Sequence, residues 1–298
     1  MQRNIAGLTF LVTLLLAQHA LADLTKLADN VYAYVGVTDA SPAHSFAANA
    51  GIIIGRDGVL VVDTLISAKE GERFLADIRK VTTKPIKFVV NTHTHLDHAL
   101  GNCVFAKVGA TVISHEADRA SLAAQGEDLI KNAGAYGLTP QDMAGTEIVV
   151  PTVAFSDQML IDLGDEDVRL IRTGPSHTAG SLVVYLPKEK LLFSGDILFT
   201  DFHPFLADGD FSGWSATIDK LLTMDIDRIV PGHGPLSTKK DLREMKAYLI
   251  QFDTLARELV VKGESSEAVT AAMTKALPKR SMAEWMIAYN LKARYLKQ

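Results

Sequence analysis

The chain has 298 residues, 48% hydrophobic and 22% charged, and its 30 Lys and Arg against 35 Asp and Glu leave a net charge of −5. With no basic run to neutralise phosphates, that balance argues against nucleic acid as a partner. A single cysteine, Cys103, rules out an intramolecular disulfide, and the length allows a large buried core in one big domain or two small ones.

In chain order, Arg3, the apolar stretch 5–17 and Ala20-Leu21-Ala22 read as a leader: a positive start, an apolar middle and a small-residue cleavage site. The stretch falls short of the ~20 residues a bilayer span needs. Export with cleavage near Ala22 is expected, to the periplasm or outside the cell; a retained anchor is the alternative. Cleavage leaves residues 23–298 and, by removing the +1 of Arg3, takes the charge from −5 to −6. No later apolar run is long enough to span a membrane.

Strands are expected at 30–36, 50–55 and 58–64, the last two joined by the turn Gly55-Arg56-Asp57-Gly58. Apolar spacing predicts a helix over 67–82, then a strand at 86–92, a short helix at 97–104, a strand at 111–115 and a helix from 116 to 131. Residues 132–157, with Gly134, Gly137, Pro140, Gly145 and Pro151, carry no period and are expected as an irregular excursion. Strands return at 167–173, 181–187 and 190–196. A helix at 213–223 precedes a strand at 227–234, and helices fill most of 238–298. Strands mixed with helices in both halves suggest two sheets packed face to face with helices outside.

The chemistry sits at strand ends. "HTHLDH" places His93, His95, Asp97 and His98 directly after the β-branched run 86–92. A solvated loop rich in histidine is the bland alternative. Imidazole with a carboxylate is, however, a common metal-binding combination, and the ends of buried strands are where α/β proteins build sites. The placement recurs with His177 in "GPSHTAGS", Asp196 closing "LLFSGD" and His233 in "IVPGHG". Singly, a loop His or a turn Asp is usually structural. Together, seven candidates exceed one tetrahedral zinc and suit two metals ~3.5–4 Å apart sharing a carboxylate. The donor types fit two divalent ions, zinc best, and the same nitrogen and oxygen set accepts iron or manganese. Cys103 is expected as a small buried hydrophobe and His115 as structural. The chain lacks a G-x-S-x-G elbow for a serine nucleophile.

"HTHLDH", "GPSHTAGS", "FSGD" and "PGHG", in this order across about residues 31–235, resemble the metallo-β-lactamase superfamily. The resemblance implies a four-layer αβ/βα sandwich over 23–237, with a helical C-terminal extension, 238–298, packed on the same domain. It implies one metal on His93, His95 and His177, a second on Asp97, His98 and His233, and Asp196 bridging both. Asp97 would also be catalytic, orienting the nucleophile and carrying its proton to the leaving group. Residues 174–196 are similar in texture to the di-zinc β-lactamases, with three departures. Asp196 stands where the cysteine subclass has its thiolate, His98 where it has a non-ligand, and Phe199 where lactamases carry a lysine for the drug's carboxylate. The Asp196 and His98 pair is similar instead to glyoxalase II and lactonase-type hydrolases.

The expected function is therefore an exported binuclear hydrolase of a small molecule. A metal-activated hydroxide would attack a lactone, thioester or ester carbonyl, with weak β-lactam turnover that Phe199→Lys is expected to raise. A true metallo-β-lactamase is the alternative, and an iron-dependent oxidoreductase of the same fold a further one. Loops 36–49 and 199–214 are expected over the metals. Phe46, Phe199 and Phe202, with Phe205 and Phe211, would form an apolar wall or merely pack the loops. His44 and His203 are expected at the surface or in loop packing.

Overall fold

The computed structural model describes residues 24–296; the leader expected at 1–22 lies outside them. One sheet holds β1 (Thr25–Ala28), β2 (Val31–Ala33), β3 (Gly51–Ile54), β4 (Val59–Val62), β5 (Ile86–Val90), β6 (Thr111–His115) and β7 (Val153–Phe155), side by side in chain order. The other holds β8 (Gln158–Asp162), β9 (Asp167–Arg172), β10 (Leu182–Leu186), β11 (Leu191–Phe199) and β12 (Arg228–His233). The helices are α1 (Ala68–Val81), α2 (Leu96–Ala99), α3 (Asn102–Lys107), α4 (Glu116–Lys131), α5 (Phe211–Thr223), α6 (Lys239–Val261), α7 (Ser266–Ala276) and α8 (Met286–Arg294).

Period-2 alternation sorts the apolar residues into layers. Leu60 and Val62 of β4 face Leu182 and Val184 of β10 across a core shared with Ile53, Phe193 and Val230. Their neighbours Val59 and Val61 turn outward onto Phe74 and Ile78 of α1. On the other side Val183 and Leu192 turn onto Trp214 and Ile218 of α5 and Leu249 and Phe252 of α6. The result is the expected αβ/βα sandwich. Val269, Met273, Ile287 and Leu291 carry the last two helices into that same outer core. Helix starts follow local chemistry: Ser67 accepts from the Glu70 N–H, and Thr238 with Asp241 forms a capping box on α6, each cap contributing about 1 kcal/mol.

Several elements differ from expectation. Strands β1 and β7 form where none was expected, β7 inside the excursion at 132–157. The helix expected at 97–104 is two, because the Gly101 N–H leaves the helical ladder for the Leu65 carbonyl at 3.0 Å. Strand β11 runs past Asp196, since Phe199 still pairs with His233 of β12. Strand β8 appears where no strand was read; only Ile161 of its five residues is buried, so its apolar signal is weak.

Strands β4, β5 and β6 are parallel, as are β11 and β12. Their carboxyl ends meet at one rim of the sandwich. The sheets are tied there by the Asn49 N–H on the Gly232 carbonyl (2.7 Å) and a bridge between Ala48 and His233. No described helix is long and apolar enough to cross a membrane.

Candidate metal centre

All seven histidines and aspartates singled out at strand ends converge on this rim. The ligand-type atoms of His93, His95, His177 and Asp196 lie within 4.8 Å of one another, and those of Asp97, His98 and His233 do likewise. The Asp196 carboxylate is divided between the groups. Its Oδ2 lies 3.3 Å from His177 Nε2 and 3.7 Å from His93 Nε2, while its Oδ1 lies 3.2 Å from His98 Nε2 and 3.5 Å from His233 Nε2. Asp97 Oδ2 closes the second group at 3.3 Å from His233 Nε2 and 3.7 Å from His98 Nε2. His95 enters the first through Nδ1, 2.9 Å from His177 Nε2.

Four of the five rings are fixed through their other nitrogen. Asp63 Oδ2 lies 3.0 Å from His98 Nδ1, the Phe46 carbonyl 3.1 Å from His233 Nδ1, the Thr92 hydroxyl 3.1 Å from His93 Nδ1, and Asp208 Oδ2 3.1 Å from His95 Nε2. A proton held on that side leaves the inward nitrogen with its lone pair, the arrangement typical of metal-binding imidazoles. The Phe46 carbonyl is aimed by a run of left-handed residues, Ser45, Phe46 and Ala47, at φ 56°, 50° and 62°. Such strain persists only where surrounding structure enforces it, and it concentrates at functional sites.

Buried polar atoms left without donors test whether the centre fits a metal. His93 Nε2, His98 Nε2 and Asp196 Oδ1 are buried and have no hydrogen-bond partner. An unpaired buried carboxylate costs several kcal/mol. A cation touching these inward atoms removes that cost, so the donor set fits metal ions. Burial alone would raise the Asp196 carboxyl, but His98, His233, His93 and His177 outweigh it and hold it well below the usual carboxylate range. The backbone is shaped to match. A Cβ on Gly232 would stand 1.9 Å from Asp196 Oδ1, so glycine alone fits behind that carboxylate.

Three supports were not read from the sequence as site residues. Asp63 is 2% exposed and also accepts from the Thr92 N–H and hydroxyl. It directly follows the buried β-branched strand β4, a signal that could have found it. Asp118 accepts from the Thr94 and Gly180 N–H groups and the Thr178 hydroxyl, binding the "HTHLDH" loop to the loop of His177. Asp208 lies 113 residues from His95 with no motif around it. Its loop is held from the C-terminal helices. Asn290 bonds the Leu206 N–H and the Pro204 carbonyl, both at 2.8 Å, and Arg294 donates to the carbonyls of Leu206, Ala207 and Gly209. Upstream, Arg280 donates to the carbonyls of Phe199 and Phe202.

The phenylalanines divide. Phe199 and Phe202 are each 2% exposed, with Phe199 stacked on His233 (5.0 Å, 2°) and Phe202 tilted against it (4.8 Å, 40°). They pack beneath His233 and offer almost no surface to an arriving molecule. This also corrects the expectation for Phe199→Lys, because an ammonium there would be buried beside Arg280 rather than presented to a substrate. Phe46, Phe205 and Phe211 are half-buried. His44 pairs with Asp39 at 2.6 Å, His203 is buried against the Tyr248 hydroxyl at 2.8 Å, and His115 caps α4 by accepting from the Ala117 N–H. Cys103 is buried and free.

The model of the metallo-beta-lactamase superfamily matches residues 45–233, the stretch that contains every one of these inward-facing side chains. Among curated relatives, the alpha subunit of 2,4-dinitroanisole O-demethylase from Nocardioides sp. (strain JS1661) is 26% identical over 61% of this chain and 51% of its own length. Linear primary-alkylsulfatase from Pseudomonas sp. (strain ATCC 19151) is 26% identical over 63% of this chain and 42% of its own. Metallo-beta-lactamase type 2 from Bacteroides fragilis is 23% identical over 77% and 86%. The chain thus spans about half the length of the first two. Among solved structures, a metallo-beta-lactamase from Pontibacter korlensis aligns with 77% of this chain and 99% of its own at 23% identity (TM-score 0.62). A stereoselective inverting sec-alkylsulfatase from Pseudomonas sp. aligns with 93% of this chain and 51% of its own at 19% identity (TM-score 0.68).

Proposed function

The chain belongs to the metallo-β-lactamase superfamily, and on that premise we propose that it is an exported binuclear metal-dependent hydrolase of lactone, thioester or ester carbonyls. His93, His95 and His177 would hold one ion and Asp97, His98 and His233 the other, with Asp196 on both. The observation that carries this reading is the division of Asp196, one oxygen toward each triad. We assign residues 23–237 to the sandwich and 238–298 to the helical extension upon it.

Two ions held here, most simply zinc, would supply Lewis acidity and lower the pKa of a bound water. Asp97 supplies the proton handling. Burial would raise its carboxyl, but His98 and His233 outweigh burial and lower it, so the group is ionised near neutrality. It can take the proton of the attacking water and return it to the leaving group. Phe205 stands half-buried beside the centre, edge-on to His95.

The second reading is a true metallo-β-lactamase, favoured by the Bacteroides fragilis relative, of which the chain covers 86%. Phe199 speaks against it. A β-lactam carries a carboxylate, and the position expected to anchor that group is neutral and buried. Losing one charge-assisted hydrogen bond costs ~1.5–3 kcal/mol, about ten- to a hundredfold in binding.

The test is metal analysis of protein purified without added metal, paired with rates on a lactone, a thioester, an alkyl sulfate and a penicillin. The alkyl sulfate is included because of the alkylsulfatase relative. Close to two transition-metal ions per chain and the highest kcat/KM on a neutral ester-like substrate are expected. Penicillin turnover near the diffusional ceiling would establish the second reading instead. For export, the mature protein should begin at Asp23, and N-terminal mass spectrometry finding Met1 on secreted material would refute cleavage.

A further inference from the structure

A run of aromatic rings leads outward from the centre. Phe205 points edge-on at His95 (5.2 Å, 83°) and at His177 (6.1 Å, 72°). Tyr289 of α8 lies 5.6 Å beyond Phe205, and Trp285, one turn earlier, lies 6.4 Å from Tyr289. Exposure rises outward: Phe205 is half-buried, Tyr289 is 44% exposed and Trp285 52%. Tyr136, from the excursion at 132–157 and 38% exposed, is near enough to influence the Tyr289 hydroxyl, whose pKa burial raises first, then Tyr136 and Asp208.

Isolated exposed apolar residues need no explanation, whereas contiguous ones that reach a pocket do. Here rings from a loop and from α8 form one surface continuous with the candidate centre. The surface is pre-organised, because Asn290 of α8 bonds the backbone of the Phe205 loop at Pro204 and Leu206, and such preparation reduces the cost of binding. Three successive ring spacings exceed the width of a single aromatic ring, which suits an extended chain. Asp208, with its side chain 60% exposed, lies beside Tyr289 and disfavours an anionic tail.

We propose that Phe205, Tyr289 and Trp285 form the specificity surface for a neutral, extended alkyl chain on the substrate whose reactive carbonyl lies at the centre. The inference rests on the hydrolase reading for the carbonyl end only; the alkyl-binding surface can be tested without turnover. The chain's other tryptophan, Trp214, is fully buried, so a solvent-sensitive change in emission reports on Trp285.

The full-length protein is titrated with 1-butanol, 1-hexanol and 1-octanol while tryptophan emission is followed. Affinity should improve up to about fourfold per methylene, and Tyr289→Ala and Phe205→Ala should each abolish that dependence. In parallel, kcat/KM is measured on acetyl and octanoyl esters. Tyr289→Ala and Trp285→Ala should each lower the octanoyl value at least tenfold more than the acetyl value. No chain-length dependence in the titration, or phenol binding more tightly than 1-octanol, overturns the proposal. Ester turnover with an octanoyl-to-acetyl ratio unmoved by both variants overturns it while leaving the hydrolase reading intact. Chain-length-dependent alkanol binding with no turnover of any ester supports the surface and removes the hydrolase reading.

Discussion

The two triads of the centre use similar donors but lean on different supports. His98 and His233 rest on Asp63, which is 2% exposed, and on the Phe46 carbonyl at the strained turn 45–47. His95 rests on Asp208, whose side chain is 60% exposed on a loop held by Asn290 and Arg294. A buried carboxylate–imidazole pair is unforgiving when one partner is lost, because the other remains buried and unpaired. An exposed pair is worth little by itself. The second triad is therefore built into the sandwich, while the first depends on a loop that the C-terminal helices fasten down.

Substituting Asp196 should erase the difference, since its oxygens reach both triads. Asp196→Ala is expected to bring metal content from near two ions per chain to one or fewer and hydrolysis down by roughly a hundredfold or more. Elemental analysis alongside kinetics checks it, and full metal occupancy in the variant would remove the bridging assignment. Asp63→Ala comes next. It strands His98 Nδ1 and the Thr92 donors in the interior, so unfolding in urea should reveal a loss of about 3–5 kcal/mol. The affinity of the second triad for metal should fall ten- to a hundredfold.

Acid should act on the loop beneath the first triad. Burial, then the charges of Arg280 and Lys279, push the His203 imidazole down to about 4 against the opposing pull of Asp201, while the Tyr248 hydroxyl faces it from α6. The unfolded chain takes up this proton near pH 6.5 and the folded chain only near 4. Stability is therefore whole above pH 6.5 and declines by up to about 3 kcal/mol as pH falls to 4. Urea midpoints measured across that window should decline less steeply in His203→Gln, and identical pH profiles would refute the assignment to His203. The smallest effect is expected from Asp208→Ala: under 1 kcal/mol of stability and about tenfold in metal affinity, confined to the first triad. Arg294→Ala should reproduce that affinity loss with Asp208 still present. An Arg294 variant that binds both ions normally would sever the extension from the centre.

What could be read in the sequence was whatever depends on neighbours along the chain. The seven inward-facing residues lie in or close to the strand runs that alternation and β-branching point out. His93 and His95 come just after β5, with Asp97 and His98 in α2 beyond them, His177 in the loop before β10, Asp196 within β11 and His233 at the end of β12. Elements α1, α4 and β6 follow the same local patterns. The supports divide by the same rule. Asp63 carries a local signal that went unused, whereas Asp208 meets His95 across 113 residues through a loop whose position only tertiary packing decides. The phenylalanines fail for a related reason. Composition marks the loop after Asp196 as aromatic, but whether a ring faces substrate or core depends on the path of β11, which shifts register twice against β12 but still pairs with it at Phe199 and draws that ring beneath His233. Tyr289 lies in α8 and Trp285 at its N-cap, with no motif around them, and only the docking of α8 onto the 204–206 loop reveals their place.

Arg294, which closes over three carbonyls of the Asp208 loop, lies downstream of every inward-facing side chain. During synthesis, then, a chain released as far as His233 already carries all seven side chains but not yet the clasp that steadies His95. The centre is steadied by a helix made well after its inward-facing side chains, so the order of translation itself delays full competence past the release of His233.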